Sequence, residues 1–262
     1  QVNVEVTRAL LAEAEAAGVE RFVFTSTLHT LAAGTEENPA DEDTPWNLGR
    51  VDSPYSRTKR EAESLVLQGL GDRIECLAIC PGMVVGPRDI RPTSTGLLLM
   101  MARSPMVAVP GGGIPIIDAS VLAQAHRNAL ARGEPGRRYA VVGPYLGYTE
   151  MARLVARLTG RPWIIQTVPD VARGMLHASF AVAGRFSRRL RALGSPALIE
   201  GGFLRLHVQG DRANTTFELT HPEPIVTIHS ALAEAYQSGR ASWLRLRQVS
   251  VPSVPPEGHS SR

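Results

Sequence analysis

A doubly wound α/β fold built on a parallel sheet is what this 262-residue sequence predicts. Three observations carry the expectation. A helical pattern of apolar residues at the start gives way within a few positions to an apolar run, Arg21-Phe22-Val23-Phe24-Thr25. A second helical pattern from Tyr55 leads into a second apolar run, Arg73 to Cys80. Each run ends in residues that suit a sheet edge, Ser26-Thr27 after the first and Pro81-Gly82 after the second. Helix and strand alternating at this spacing favour parallel strands joined by crossover helices, and such sheets bind ligands beyond their strands' carboxyl ends.

The elements follow from residue patterns. Val2, Val4, Val6, Leu10, Leu11 and Ala14 recur at helical spacing, and Gly18 supplies a C-cap. Residues 34–53 are polar and acidic (Glu36, Glu37, Asp41, Glu42, Asp43), which predicts a loop across the strand ends. Tyr55 to Leu70 reads as a helix with Ala62, Leu65, Val66 and Leu70 inward, its Lys59–Glu63 pair being expected as a surface contact. Pro81 to Asp89 reads as a sharply turning loop, whose Gly82 and Gly86 serve either a close ligand approach or a plain turn.

Beyond it the pattern predicts a short helix over Thr95 to Arg103 and an extended, Gly-rich stretch over Val107 to Ile117. A helix capped by Asp118 or Ser120 runs to Arg132, a strand covers Arg138 to Val142, and a helix covers Tyr148 to Thr159. A strand over Trp163 to Val168, one or two helices from Pro169 to Gly194 and a last amphipathic helix from Pro224 to Gln237 complete the core. Pro196 to His207 fits no single pattern, and residues 249–262, rich in Pro and Ser, are expected to be disordered.

Composition narrows the class. With 44% hydrophobic and 20% charged residues and a net charge of +3, the chain reads as globular, cytoplasmic and without affinity for nucleic acid or membrane. The arginines are scattered, and the cluster Arg185 to Arg191 reads as a solvated helix face. Cys76 and Cys80 sit four positions apart on one expected strand, about 13 Å, too far for a disulfide. No Cys/His spacing suggests a metal.

The chemistry concentrates at Pro54-Tyr55-Ser56-Arg57-Thr58-Lys59. Residues i and i+4 share a helix face, so phenol and ammonium point the same way. A free tyrosine titrates near about 10, and lowering that by about 3 units takes about 4 kcal/mol, which an adjacent ammonium and a cationic ligand can supply. Tyr-x-x-x-Lys alone is a short pattern that also occurs by accident. Here, however, Lys59 is the sole lysine among 28 basic residues. Arginine's planar fork cannot replace a compact ammonium beside a phenol, so the position reads as functional.

The succession Arg-Phe-Val-Phe-Thr-Ser-Thr, then Tyr55-x-x-x-Lys59 with Arg-Glu-Ala-Glu, then Cys80-Pro-Gly-Met-Val-Val-Gly-Pro87 resembles the extended short-chain dehydrogenase/reductase superfamily. Gly86-Pro87-Arg88-Asp89-Ile90-Arg91-Pro92-Thr93-Ser94-Thr95-Gly96 is similar to the NAD(P)-dependent epimerase/dehydratases of dihydroflavonol-reductase-like and hopanoid-associated type. The similarity is dense from residue 2 to about residue 165 and thin afterwards.

The resemblance implies a Rossmann-like sheet over residues 1–92 and a smaller α/β substrate-binding region over 93–248, with about 107–142 returning to the first domain. It implies Tyr55 as general acid/base, Thr27 as hydrogen-bond donor to the reacting oxygen and Lys59 as the ligand of the nicotinamide ribose. Thr25, Ser26, Pro81, Gly82, Met83 and Val84 would line the NAD or NADP site. His29 and Arg88 would face a small-molecule substrate, nucleotide-sugar-like or a hydroxy-ketone. Helices 2–17 and 55–70 would build a homodimer interface.

Members of that superfamily open with a strand and a Gly-x-x-Gly-x-x-Gly turn seating the pyrophosphate. This sequence contains no such turn, and Gly111-Gly112-Gly113 is not at a strand-to-helix junction. The expectation is a chain beginning inside a helix, short of its first sheet strands, and binding dinucleotide poorly. The other readings are a non-catalytic NAD(P)-fold sensor or interaction protein, and an inactive fragment.

Overall fold

The computed structural model describes residues 2–51, 53–69, 74–90, 94–183, 185 and 195–247. Leu70 and Arg73, most of the stretch from Arg185 to Gly194 and the tail 249–262 lie outside the described residues.

The element order is α1 (Val2–Ala16), β1 (Arg21–Thr25), α2 (Pro54–Gln68), β2 (Glu75–Pro81), β3 (Met83–Val85), α3 (Ser94–Arg103), β4 (Met106–Pro110), β5 (Gly113–Asp118), α4 (Ala119–Arg132), β6 (Arg138–Val141), β7 (Tyr145–Gly147), α5 (Tyr148–Thr159), β8 (Ile164–Val168), α6 (Arg173–Ala183), α7 (Pro196–Phe203), α8 (Asp211–Phe217) and α9 (Pro224–Gln237). Short 3-10 turns cover Leu28–Thr30, Gly49–Val51 and Asp170–Ala172.

The main sheet runs β1-β2-β6 with every pairing parallel, Thr25 opposite Ile79 and Pro81 opposite Val141. The central strand β2 is buried from Cys76 to Pro81, so its sequence is an unbroken apolar run instead of an alternating one. Its two faces still divide the core with period two. Cys76 packs with Leu11 of α1 and Val66 of α2, whereas Leu77 and Ile79 pack with Val121 and Ala125 of α4 and Phe217 of α8. Helices therefore cover both faces, the doubly wound arrangement. Both cysteines are free and buried on this strand.

Two small sheets extend the carboxyl side. In β3-β5-β7 the first pairing is parallel and the second antiparallel, while β4 pairs parallel with β8. Sequence reasoning made Pro81 to Asp89 all loop. Met83-Val84-Val85 instead forms an edge strand against Ile116, Ile117 and Asp118, as two adjacent β-branched residues favour. Strand β7 and helix α8 were not anticipated, being only 3 and 7 residues long. The ambiguous stretch after Pro196 is helical to Phe203.

Candidate active site

The site is assembled by two junctions. The first is the end of β1, where the Ser26 amide donates to the Ile79 carbonyl (2.7 Å) and the chain enters a 3-10 turn. The second is the start of α2. Ser53 caps that helix, its Oγ accepting from the Ser56 amide (3.1 Å) while Ser56 Oγ accepts from the Ser53 amide (2.8 Å). This capping box, with Pro54 at the first helical position, starts the helix one residue before Tyr55.

A cavity of about 560 Å³ lies where these junctions meet β3. Its wall brings together Ser26, Thr27, His29, Tyr55, Pro81, Gly82, Met83, Val84 and Arg88 from the sequence-predicted set. Thr25 and Lys59 stand outside this wall. Tyr55 is 51% exposed, and neither its hydroxyl nor that of Thr27 has a hydrogen-bond partner among the described residues. Two residues with unengaged hydroxyls, from separate elements, line one cavity.

The other predicted residues are committed in part to the protein. Lys59 Nζ donates to the Thr25 carbonyl (2.8 Å) and lies 4.9 Å from the centre of the Phe24 ring. Burial lowers its pKa, with the negative charge of Glu63 acting in the opposite sense. The Thr25 side chain turns instead to His126 on α4 (Oγ1 to Nε2, 2.8 Å). His126 Nδ1 lies 2.9 Å from the Leu122 carbonyl and must be its donor; in the neutral ring Nε2 is then the acceptor for Thr25.

Glu63 is the residue the sequence misassigned. It makes no surface pair: it is 3% exposed, at the centre of a polar network beneath the cavity. Its Oε2 accepts from Ser26 Oγ, from Thr30 Oγ1 (2.6 Å) and from Cys80 Sγ (3.4 Å), while Arg138 reaches Oε1 at 3.4 Å. Burial holds the Cys80 thiol well above its ordinary pKa, so it stays protonated and donates. Thr30 Oγ1 also lies 2.8 Å from the Thr27 carbonyl, tying Glu63 to the candidate catalytic turn. A signal was available. Glu63 continues the Tyr55–Lys59 spacing by another four residues and adjoins the buried Ala62 and Val66.

His29 is mostly enclosed, and burial lowers its pKa. The sign follows from linkage. Its folded value lies below that of the unfolded chain, so on acidification the unfolded state takes up the proton first. Stability contributed by neutral His29 is complete above about pH 6.5 and is lost as pH falls below that value toward the folded pKa. The melting midpoint of the wild type is expected to fall more between pH 7 and pH 5.5 than that of His29→Gln. Equal losses in a differential scanning experiment would refute this.

The glycines of the rim have a packing cause. A Cβ on Gly82 would stand 2.5 Å from the Pro115 carbonyl oxygen, and one on Gly86 would stand 2.6 Å from Ala119 Cβ. Between these contacts and the following helix, Arg88 adopts a left-handed φ of 65° while its amide donates to Glu234 Oε2 (3.0 Å). Glu234 in turn pairs with Arg240, so α9 buttresses the far rim. Gly82→Ala is expected to destabilise the fold by about 1–3 kcal/mol through overpacking, readable by urea denaturation.

Fold and site together define a Rossmann-like α/β protein with a cavity at the carboxyl edge of its parallel sheet, the edge where such sheets bind ligands. Residues 1–141 match the NAD dependent epimerase/dehydratase family, and the chain belongs to that family. It is 30% identical over 172 residues to a putative dihydroflavonol 4-reductase of Synechocystis, covering 64% of this chain and 50% of the relative. It is also 30% identical over 164 residues to sterol demethylase protein B of Methylococcus capsulatus, covering 62% and 49%. The chain thus spans about half the length of the curated relatives it matches.

Among solved structures, gox2253 superimposes with a TM-score of 0.75 at 27% identity, over 91% of this chain and 72% of that one. A nucleoside-diphosphate-sugar epimerase from Pseudomonas aeruginosa gives 0.73 at 21%, over 91% and 75%. Among the described residues no helix is long and apolar enough to cross a membrane, and no group of three or more His, Cys, Asp or Glu could hold a metal ion.

Proposed function

We propose that this chain carries the reacting side of an NAD(P)-dependent oxidoreductase acting at a carbinol or carbonyl carbon of a small substrate. The outcome is net reduction, or transient oxidation within an epimerisation or dehydration. The observation that supports it is the pair of unengaged hydroxyls, Thr27 and Tyr55, at one cavity on the sheet edge, with Lys59 one helical turn from the phenol.

In this reading Thr27 donates a hydrogen bond to the substrate oxygen, and Tyr55 delivers a proton to that oxygen or removes one. Lys59 keeps one N–H on the Thr25 carbonyl and has two more donors for ribose hydroxyls. The Pro81-to-Val84 segment, on the wall of the same cavity, would line the nicotinamide end. A dinucleotide held there would contribute hydride donor or acceptor chemistry, while the two hydroxyls hold the oxygen of the reacting carbon. Glu63 acts through others, fixing Ser26 and Thr30 so that Thr27 stays aimed at the cavity.

Thr27→Val is expected to lower kcat about 10²-fold, the scale for losing one donor to a reacting oxygen, whereas Thr27→Ser restores it. Steady-state kinetics at saturating NADH or NADPH makes the comparison. Equal activity in wild type and Thr27→Val would remove Thr27 from the chemistry. The 262 residues contain no glycine-rich strand-to-helix turn for a pyrophosphate, so titration calorimetry should give a dinucleotide Kd weaker than about 1 μM.

A homodimer through α1 and α2 accompanies this reading. Val2, Val6 and Leu10 lie one turn apart on α1 and are 72%, 50% and 56% exposed, an apolar stripe that a second copy would cover. Leu10→Arg should shift the species seen by light scattering to monomer. A wild type that is already monomeric at high concentration would contradict it.

A further inference from the structure

A second cavity, of about 600 Å³, adjoins the first, and Tyr55, His29 and Ile114 belong to both walls. The shared residues make it the space next to the reacting oxygen on the side away from β3. Its outer wall is apolar: Leu97 and Met101 of α3, Val109 and Pro110 of β4, Leu198 of α7, and Leu206. Among the described residues none of those lining it carries a charge. The polar groups there are His29, Ser53, Tyr55, Tyr148 and Ser195. Burial keeps Tyr148 protonated and holds His29 below the usual imidazole pKa, so neither supplies charge at neutral pH. The charged rim residues, Arg88 and Asp89, line the first cavity only.

A nucleoside diphosphate sugar brings a dianionic pyrophosphate into its site. Desolvating that charge is costly, and proteins meet it with arginine forks, an ammonium or the amides of a glycine-rich helix N-terminus. Among the described residues this wall offers no cation. It offers branched aliphatics, and methionines that adapt to the contour of a ring system, in a volume within the range of small-molecule sites.

We propose that the second cavity holds the carbon skeleton of the substrate, and that the substrate is an uncharged, largely apolar alcohol or ketone instead of a nucleotide sugar. The assignment rests on Tyr55 being the group at the reacting oxygen, and it sets orientation. The oxygen-bearing carbon points to Tyr55 and Thr27, while the apolar body lies between α3 and α7. Tyr148 is then a polar group able to distinguish substrates that carry a second oxygen.

The test is equilibrium binding, which needs no turnover. A naphthyl ketone and UDP-glucose are titrated against the full chain by ligand-observed NMR, with Leu198→Arg, Met100→Glu and Tyr55→Phe alongside. Leu198 of α7 and Met100 of α3 both line the second cavity and are more than half exposed, so both charge variants should fold, as a circular dichroism melt verifies. The ketone is expected to bind wild type and Tyr55→Phe alike and at least tenfold more weakly to both charge variants, with no saturable binding of UDP-glucose. Saturable UDP-glucose binding, ketone binding indifferent to both charge variants, or no ketone binding would each overturn the proposal. Turnover that survives in Tyr55→Phe would sink the reaction assignment instead, and ketone binding distinguishes the two failures.

Discussion

Tyr55→Phe is expected to lower kcat by about 10²- to 10⁴-fold, the contribution of a positioned proton donor, while binding of dinucleotide and carbonyl compound stays unchanged. The change removes one oxygen from a side chain that is half exposed and bonded to nothing among the described residues. Its effect on stability should therefore stay within about 0.5 kcal/mol. That separation makes the result interpretable, since a lower rate cannot be blamed on a lost fold. Single-turnover kinetics beside a melting curve reads both quantities. A variant that keeps full activity would move the proton transfer elsewhere, and a wild type without activity at saturating dinucleotide would favour a binding role for the fold.

The second large effect belongs to Glu63. Glu63→Leu should destabilise the protein by about 3–5 kcal/mol, because it leaves Arg138 partly buried without its carboxylate and strands two buried hydroxyls. Arg138 retains a hydrogen bond to the Glu42 carbonyl (2.8 Å), which places the loss toward the lower end. Glu63→Gln, which keeps an acceptor for Ser26 and Thr30, should cost less. The double variant Glu63→Leu with Arg138→Met should recover much of the loss, since replacing both partners of a buried pair leaves no orphan charge. Urea denaturation of the wild type, Glu63→Leu, Arg138→Met and the double variant completes the cycle. Strict additivity would show that the two side chains are not coupled. The same variant should reduce activity in excess of its unfolded fraction, because the Thr27 turn loses its anchor and Lys59 loses the charge that counters its burial.

Much of this was legible in the chain itself. Strand β2 was legible as a strand from the apolar residues between Ile74 and Cys80, although its burial was not, and α5 and α9 were bounded correctly because Gly160 and Pro224 punctuate them. The Tyr–Lys pair stood out because every other basic residue is arginine. What stayed hidden depends on contacts between distant segments. The burial of Glu63 is set by Ser26, Thr30, Cys80 and Arg138, on other elements up to 75 residues away, and a local i,i+4 rule reads only its neighbour Lys59. Glu42 is similar. In an acidic stretch it looked solvated, yet it is buried, accepting from the Ala140 amide (2.8 Å), and burial raises its pKa despite that bond and the nearby Arg212. Strand β3 was obscured because its three residues sit between Gly82 and Gly86, both of which signal turns.

Transfer of deuterium is the most direct measurement of whether the cavity between Thr27 and Tyr55 hosts redox chemistry at carbon. An apolar ketone is incubated with the full chain and a reduced dinucleotide deuterated at the nicotinamide C4, supplied at saturating concentration, and the product is analysed by mass spectrometry and NMR. Deuterium bonded to the carbinol carbon of a single enantiomer, and absent when Tyr55→Phe replaces the wild type, is the expected result. Unlabelled product, or label that appears equally with Tyr55→Phe, would contradict it.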